Sequence, residues 1–162
     1  MNSPNAALSS AEIQAFLTNQ FHEMGDFVTD LDRIRDSGYS YDSVFGPDRH
    51  SRIIYLKNTG TEIGHFTLLS DLGDHFEWFD STAGELPEVL AEFCRRNKPN
   101  SYVAGVKERL QSKDSYICGK WCIMRYMSLP TTLSDFIEIF TASKSKLTPD
   151  SVVDRLIQIK LL

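Results

Sequence analysis

Cysteine is scarce in this sequence of 162 residues, which contains only Cys94, Cys118 and Cys122. A small, odd number argues against a disulfide framework and favours a reducing, intracellular compartment. Long apolar runs are also missing, since runs such as residues 53–56 are far shorter than the roughly 20 residues that span a bilayer. Residues 1–10 contain no basic side chain and no apolar core. We therefore expect no secretory signal and no membrane partner.

The overall composition excludes the unusual classes of protein. Hydrophobic residues make up 41% of the chain and charged residues 24%, which is ordinary for a globular protein. The length suits one domain with a real core. We expect a single, monomeric domain over residues 1–162, with residues 1–8 as a frayed leader.

Charge is distributed unevenly along the chain. Residues 1–50 and 51–90 each carry a net charge of −5, whereas residues 91–162 carry +5. A basic patch that meets phosphates or an acidic partner is one interpretation of the last part. Few aromatic residues alternate with these basic ones, and a nucleic-acid groove normally adds stacking side chains. We favour a solvated polar face and expect no nucleic-acid partner.

The pattern of apolar residues and turn signals predicts an α+β fold, in which a small, mostly antiparallel central sheet is flanked by helices. Residues 26–49 are rich in turn residues, and their helix and strand content stays ambiguous. Ser9 and Glu12 fit a capping box for the first helix, and Thr148 and Pro149 fit the start of the last one. The predicted helices cover about 10–22, 87–96, 118–127, 132–140 and 148–161, the predicted strands cover 52–57, 63–70, 75–80 and 101–106, and a turn is predicted at 58–60.

Cys118 stands at the predicted start of a helix, before Gly119. Free amide groups and the helix dipole favour an anion at that place, and therefore a thiolate. Gly119 would let a substrate carbonyl approach the backbone. Without other evidence, a cysteine in this position is more often a packed apolar residue.

The other two cysteines favour packing. Cys122 lies four residues after Cys118 among apolar neighbours, and Cys94 lies beside Phe93 on an amphipathic helix. A zinc site made of three cysteines and a histidine is the alternative. The chain has no Cys-x-x-Cys pair, so we expect no metal and no cofactor.

A nucleophilic cysteine needs a base, and the base needs a group that orients it. His65 is the polar ring in an apolar strand, and Asp80 ends the next strand. A hairpin would make His65 and Asp80 cross-strand neighbours at one end of the sheet. Gln111, seven residues before Cys118, offers an amide donor for an oxyanion hole. Each residue also has a plain structural interpretation: a core histidine, a turn aspartate and a solvated loop glutamine.

Together, His65, Asp80, Gln111 and the segment Cys118-Gly119-Lys120-Trp121-Cys122 resemble the catalytic skeleton of the adenovirus-type maturation protease (adenain), within the wider group of Ulp-type SUMO and ubiquitin-like proteases. The resemblance covers roughly residues 51–127. It implies that Cys118 is the nucleophile, His65 the general base and then acid, and Asp80 the group that holds the imidazole. It also implies that Gln111 shares the oxyanion hole with the Cys118 N–H.

The sequence departs from the adenovirus pattern at several places. Phe66 follows the histidine where the family commonly has tryptophan, and Asp80 replaces a glutamate. The adenovirus enzymes also use DNA and an activating peptide held by a disulfide, and no cysteine here is convincingly placed for that bond. The resemblance leaves a peptide activator open.

These inferences lead to three hypotheses. The first is a cysteine endopeptidase that cuts viral structural or polyprotein precursors, at Gly-rich junctions, inside the host cell or packaged in the virion. The second is a ubiquitin-like-protein protease acting on host conjugates. The third is a non-catalytic binding module with buried thiols.

Overall fold

The computed structural model describes residues 7–57, 64–113, 115–142 and 148–161 of the chain. Helices and strands follow one another along these residues as an α+β protein. The strands are β1 (Val28–Asp30), β2 (Ser51–Leu56), β3 (His65–Asp71), β4 (Phe76–Phe79) and β5 (Val103–Gly105). The helices are α1 (Ser10–Phe21), α2 (Leu31–Asp36), α3 (Tyr41–Phe45), α4 (Glu88–Asn97), α5 (Cys118–Ser128), α6 (Leu133–Thr141) and α7 (Pro149–Leu161).

The sheet has the order β1-β2-β3-β4-β5. Its centre is the predicted antiparallel meander, in which β2 pairs with β3 over six positions and β3 with β4 over four. The outer strands β1 and β5 run parallel to their neighbours over three positions each. The predicted α+β class is confirmed, with antiparallel pairs in the majority and a parallel strand at each edge.

The predicted helices and strands are found within a few residues of their expected bounds. The capping box of α1 is confirmed, because Ser9 Oγ accepts from the Glu12 N–H and the Glu12 carboxylate accepts from the Ser9 N–H. Thr148 Oγ1 accepts from the Ser151 N–H at the start of α7, as expected of an N-cap. The predicted turn at 58–60 and the first residue of the predicted strand at 63–70 lie outside the described residues.

The ambiguous segment 26–49 contains three short elements. β1 has three residues, α2 six and α3 five. Side-chain oxygens of Asp30 and Ser40 accept hydrogen bonds from the first turns of α2 and α3. Side-chain caps and pairing with β2 therefore stabilise these short elements. None of them is long enough to show a repeating pattern of apolar residues in the sequence.

Each face of the sheet covers its own hydrophobic cluster, since alternate residues of a strand point to opposite faces. Ile53 and Leu68 belong to the first cluster, which includes α1, α5, α6 and α7. Their neighbours Ile54 and Leu69 belong to the second, which includes α2, α3 and α4. Leu8 packs against the first cluster, whereas residues 1–6 of the expected frayed leader lie outside the described residues.

The start of β3, the end of β4 and the start of α5 position the candidate site. His65 begins β3, Asp80 follows β4, and Cys118 begins α5, which packs on β3. Within the described residues, no helix combines the length and apolar character needed to cross a membrane.

Candidate active site

Two neighbouring strands place an imidazole beside a carboxylate. His65 is the first residue of β3, and Asp80 follows directly after the antiparallel strand β4. His65 Nε2 lies 2.6 Å from Asp80 Oδ1. The cross-strand contact expected from the hairpin is therefore present, at the end of the sheet where β3 begins.

The loop after β4 holds the Asp80 carboxylate in place. Thr82 donates to Asp80 Oδ1 from its backbone N–H at 2.8 Å and from its hydroxyl at 2.7 Å. Burial raises the pKa of Asp80, but the hydrogen bonds and positive charge of His65, together with the Thr82 donors, outweigh burial and hold that pKa below its ordinary value. Asp80 is thus a fixed anion that orients the imidazole.

His65 favours its protonated form. Burial lowers its pKa, but hydrogen bonds to Asp80 and Cys118 and the negative charges of both groups outweigh burial and raise the pKa to about 9. The imidazole therefore links the carboxylate to the thiol. Around neutral pH this geometry favours the imidazolium, which donates to the Asp80 carboxylate and lies beside the Cys118 side chain.

Cys118 occupies the N-terminal position of α5. No side chain caps this helix, so the amide groups of its first turn remain available to a ligand. The Phe66 N–H donates to Cys118 Sγ at 3.4 Å. These donors favour negative charge on the sulfur. Cys118 as a whole is 7% exposed and lines a cleft.

Gly119 serves packing more directly than substrate access. A Cβ atom at this position would lie 2.8 Å from Ile13 Cδ1 and 3.4 Å from Phe66 Cδ2. The space beside Gly119 is therefore filled by α1 and β3. Close contact between α1 and α5 therefore explains this glycine, and its expected role in opening the backbone to a substrate carbonyl stays a prediction.

Gln111 is buried and held on both ends of its amide. Its Oε1 accepts from Ser81 Oγ at 2.7 Å, and its Nε2 donates to the Ser115 carbonyl at 2.6 Å. Among the described residues no second acceptor takes the other Nε2 hydrogen, and an amide has two. Gln111 also lines the cleft with Cys118. The solvated-loop interpretation is wrong, because the Ser81 contacts bury this side chain.

One cleft brings the predicted residues together. It has a volume of about 450 Å³ and is lined by His65, Gln111 and Cys118, with Tyr116 and Arg109 beside them. Ala7, at the start of the described chain, lines it as well. Asp80 is not among the lining residues; it is buried and contacts His65.

The remaining cysteines are far less suited to chemistry. Burial, together with the Asp71 charge, raises the pKa of Cys94 to about 11, and complete burial raises the pKa of Cys122 well above its ordinary value. Cys94 belongs to the second hydrophobic cluster, whereas Cys118 and Cys122 belong to the first. A zinc site would require the three thiols to meet at one point, and they do not.

Three supporting residues lie outside the set to which the sequence assigned a catalytic role. Ser81 and Thr82 orient Gln111 and Asp80, and Asp150 accepts from the Ser112 N–H at 2.9 Å and from Trp121 Nε1 at 2.8 Å. The hydroxyls that directly follow Asp80 are a signal that sequence reasoning can use. Asp150 gives no such signal, because its partners lie 38 and 29 residues away.

Comparison with solved structures finds the fold of this chain, a five-stranded sheet flanked by helices, in two other proteins. The ASFV pS273R protease superposes with a TM-score of 0.61 at 13% identity, over 94% of this chain and 68% of that one. ChlaDub1 from Chlamydia trachomatis superposes with a TM-score of 0.50 at 12% identity, over 97% of this chain and 79% of that one. At these identities the likeness concerns the fold.

No family model matches the sequence, and no curated protein matches it either. The solved structures agree with the fold that the resemblance to the wider protease group implies. The adenovirus branch in particular stays a prediction.

Proposed function

We propose that this protein is a cysteine peptidase in which Cys118, His65 and Asp80 form the catalytic triad. One observation carries the proposal: a thiol at an uncapped helix start interacts with an imidazole that a buried carboxylate holds at 2.6 Å. This is the arrangement that an activated nucleophile requires. The shared fold with cysteine proteases supports it.

The residues define a double-displacement reaction. The Cys118 thiolate attacks the scissile carbonyl carbon, and negative charge develops on the carbonyl oxygen. The free Nε2 hydrogen of Gln111 and the Cys118 N–H would receive that oxygen. The His65 imidazolium then gives its proton to the leaving amine, and a thioester remains on Cys118. His65 next takes a proton from water, whose hydroxide oxygen attacks the thioester and releases the acid and the thiolate.

The substrate we propose is a protein, and first of all a viral structural or polyprotein precursor. The ASFV protease superposes better than ChlaDub1, with TM-scores of 0.61 and 0.50, and this difference favours the viral class. A ubiquitin-like conjugate is the second candidate. We propose small residues at the cleaved junction, and a reducing intracellular compartment that keeps Cys118 as a thiol.

The decisive experiment combines cleavage with selective labelling. Wild type, Cys118→Ala and His65→Ala are incubated with viral precursor junctions and with ubiquitin and SUMO precursors. Iodoacetamide labelling at neutral pH is then followed by peptide mass spectrometry. We expect Cys118 to react fastest and its rate to fall in His65→Ala, whereas Cys94 and Cys122 stay unreactive because burial raises their pKa values.

Clear results would contradict the proposal. Proteolysis by a folded Cys118→Ala protein would remove Cys118 from the mechanism. Equal labelling of Cys118 and Cys94 in wild type would favour the non-catalytic binding module. Cleavage of ubiquitin-like tails, with precursor junctions left intact, would replace the viral substrate class by the second candidate.

A further inference from the structure

A second cavity lies at the other end of β2. It has a volume of about 620 Å³ and is formed by the short elements of segment 26–49 and the first residues of β2. Arg52, which lines it, pairs with Leu69 in the sheet, whereas Leu56 pairs with His65. Four residues of strand separate these positions, or about 13 Å along the strand. The cavity is therefore distinct from the cleft that contains Cys118.

Arg52 forms the floor of this cavity and is poorly satisfied. Its side chain is 9% exposed, and its Nε has no hydrogen-bond acceptor among the described residues. Its other nitrogens have distant partners: Ser43 O lies 3.5 Å from Nη1, and Asp26 Oδ2 lies 3.8 Å from Nη2. A buried guanidinium normally has close acceptors, because losing its hydration is costly.

Arg49 brings a second guanidinium to the same place. Its side chain is 12% exposed and stacks on the Phe27 ring, with Cζ 3.9 Å from the ring centroid. The Glu23 carboxylate that faces it is 62% exposed and lies 3.6 Å from Nη2. The carboxylate partners of both arginines are thus exposed and loosely held, since the Asp26 side chain is 75% exposed. The Glu23 and Asp26 carboxylates can therefore move into solvent without breaking a close hydrogen bond.

Gly46 keeps the space between the two arginines open. Its φ of 83° favours glycine, and a Cβ there would lie 3.6 Å from Arg52 Nη1 and 3.8 Å from Arg49 Cδ. Burial lowers the pKa of Arg52, and although Asp26 opposes this, the positive charges of Arg49 and Arg33 lower it further. Like charges are therefore held together where an anion would relieve their repulsion.

We propose that this cavity binds a small phosphate ester, with its phosphate group held by Arg52 and Arg49. Guanidinium forks match phosphate oxygens, and a phosphate would accept from the Arg52 Nη1 and Nη2 groups, whose present partners lie 3.5 Å and 3.8 Å away. The volume lies within the range of small-molecule sites. Carboxylates of Asp26, Asp42 and Asp48 also line the cavity, and they can accept hydrogen bonds from hydroxyl groups of the ester.

The same lining disfavours other anions. An acidic peptide would bring several carboxylates against those three aspartates. A nucleic acid would meet residues 1–50, which carry a net charge of −5. In a small phosphate ester, the phosphate can bind the arginines, and the neutral hydroxylated part can bind the aspartates. The proposal does not depend on peptidase activity, because its evidence lies outside the Cys118 cleft.

Binding to the full chain tests the proposal directly. Ribose 5-phosphate, ribose, inorganic phosphate and a glutamate-rich peptide are titrated by calorimetry at constant ionic strength. Thermal unfolding is measured in parallel, because a ligand of the native state raises the Tm. We expect ribose 5-phosphate to bind at least tenfold more tightly than the other three probes. We also expect Arg52→Gln and Arg49→Gln each to weaken this binding at least tenfold.

Arg95→Gln is the matched control, because Arg95 is an exposed arginine paired with Glu88 and Glu92 on α4, and we expect it to bind as wild type does. Circular dichroism checks the folding of each variant. If Arg52→Gln does not fold, the wild-type titrations and Arg49→Gln decide. Absence of binding by ribose 5-phosphate, equal affinity for inorganic phosphate or the peptide, or unchanged binding in a folded arginine variant would each overturn the proposal.

Discussion

At the scale of single residues, the Gln111 amide is held in one orientation by its two neighbours. Ser81 Oγ donates to its oxygen and the Ser115 carbonyl accepts from its nitrogen. An amide flip would place the Gln111 oxygen against the Ser115 carbonyl oxygen, which can only accept. If Gln111 stabilises the oxyanion, Gln111→Ala should lower kcat by roughly 10²–10³-fold with little change in KM. Ser81→Ala should lower it less, because the Ser115 contact remains. Steady-state kinetics on a cleaved peptide measure both, and a change confined to KM would assign Gln111 to substrate binding.

His65 predicts how the site responds to pH. Its folded-state pKa of about 9 lies above the ordinary value of 6.5, so its stabilising contacts are complete below pH 6.5 and are lost as pH rises through 9. We expect both the free energy of unfolding and the peptidase rate to fall over that alkaline range. Asp80→Asn removes the carboxylate that favours the imidazolium, so the alkaline limb of the rate profile should move to lower pH. An identical profile in Asp80→Asn would show that another group sets this limb.

The residues proposed to carry the chemistry were easier to find in the sequence than the residues that hold them in place. His65, Asp80, Gln111 and Cys118 occur in the order of a known pattern, and they meet in one site. The aspartate that supports the Gln111 loop, Asp150, was not predicted, because it acts through the Ser112 N–H and the Trp121 ring across long separations. Such contacts depend on how α7 docks, which local residue patterns do not encode.

At the scale of elements, α7 connects the two halves of the site. The two oxygens of Asp150 accept separately, Oδ2 from the N–H of Ser112, next to Gln111, and Oδ1 from Trp121 on α5. The buried Lys120 ammonium, also on α5, lies 2.5 Å from Asp154 Oδ1 one turn later. These contacts fix the distance between the Gln111 loop and the start of α5. We therefore predict that Asp150 positions Gln111 without touching the reacting atoms.

Replacing Asp150 should misplace Gln111 and leave Cys118 reactive. We expect Asp150→Ala to lower kcat about tenfold or more with a small effect on KM, because misplaced groups cost rate. Alkylation of Cys118 should keep its wild-type rate and pH dependence, and Asp150→Asn should recover part of kcat through its remaining oxygen. Asp135→Ala, at an exposed position near the start of α6, is the control. Loss of Cys118 alkylation in Asp150→Ala would instead indicate general disruption of α5.

Element lengths explain which parts of the fold could be read from the sequence. α1 and α4 extend over 12 and 10 residues, long enough for apolar side chains to recur on one face. β1, α2 and α3 have only three to six residues, and even the longer of the two helices makes fewer than two turns. β1 pairs in parallel with β2, and β5 pairs in parallel with β4. Turn residues in the sequence indicate only hairpins between neighbouring strands, so they could not reveal these pairings.

At the scale of the whole molecule, one buried ion pair joins the sheet to the helix that carries Cys118. Arg125 of α5 donates to both carboxylate oxygens of Glu77 in β4, from Nε at 2.8 Å and from Nη2 at 2.7 Å. The two side chains are 0% and 1% exposed. Arg125 Nη1 also donates to Ser128 Oγ at 3.1 Å. The two residues are 48 positions apart in sequence and join α5 to β4. We therefore expect the loss of this pair to weaken the packing of the whole of α5 on the sheet.

Removing one partner should therefore cost more than removing both. Arg125→Met leaves the Glu77 carboxylate buried without its cation, and we expect the free energy of unfolding to fall by about 3–5 kcal/mol. For a chain of this length that corresponds to a Tm lower by roughly 6–20 °C. In the double variant Glu77→Leu/Arg125→Met no charge is left buried, so much of the stability should return. Denaturant and thermal unfolding of the wild type, both single variants and the double variant measure the coupling energy. Strictly additive losses would show that the pair does not act as a unit, and that α5 is held on the sheet by its apolar contacts.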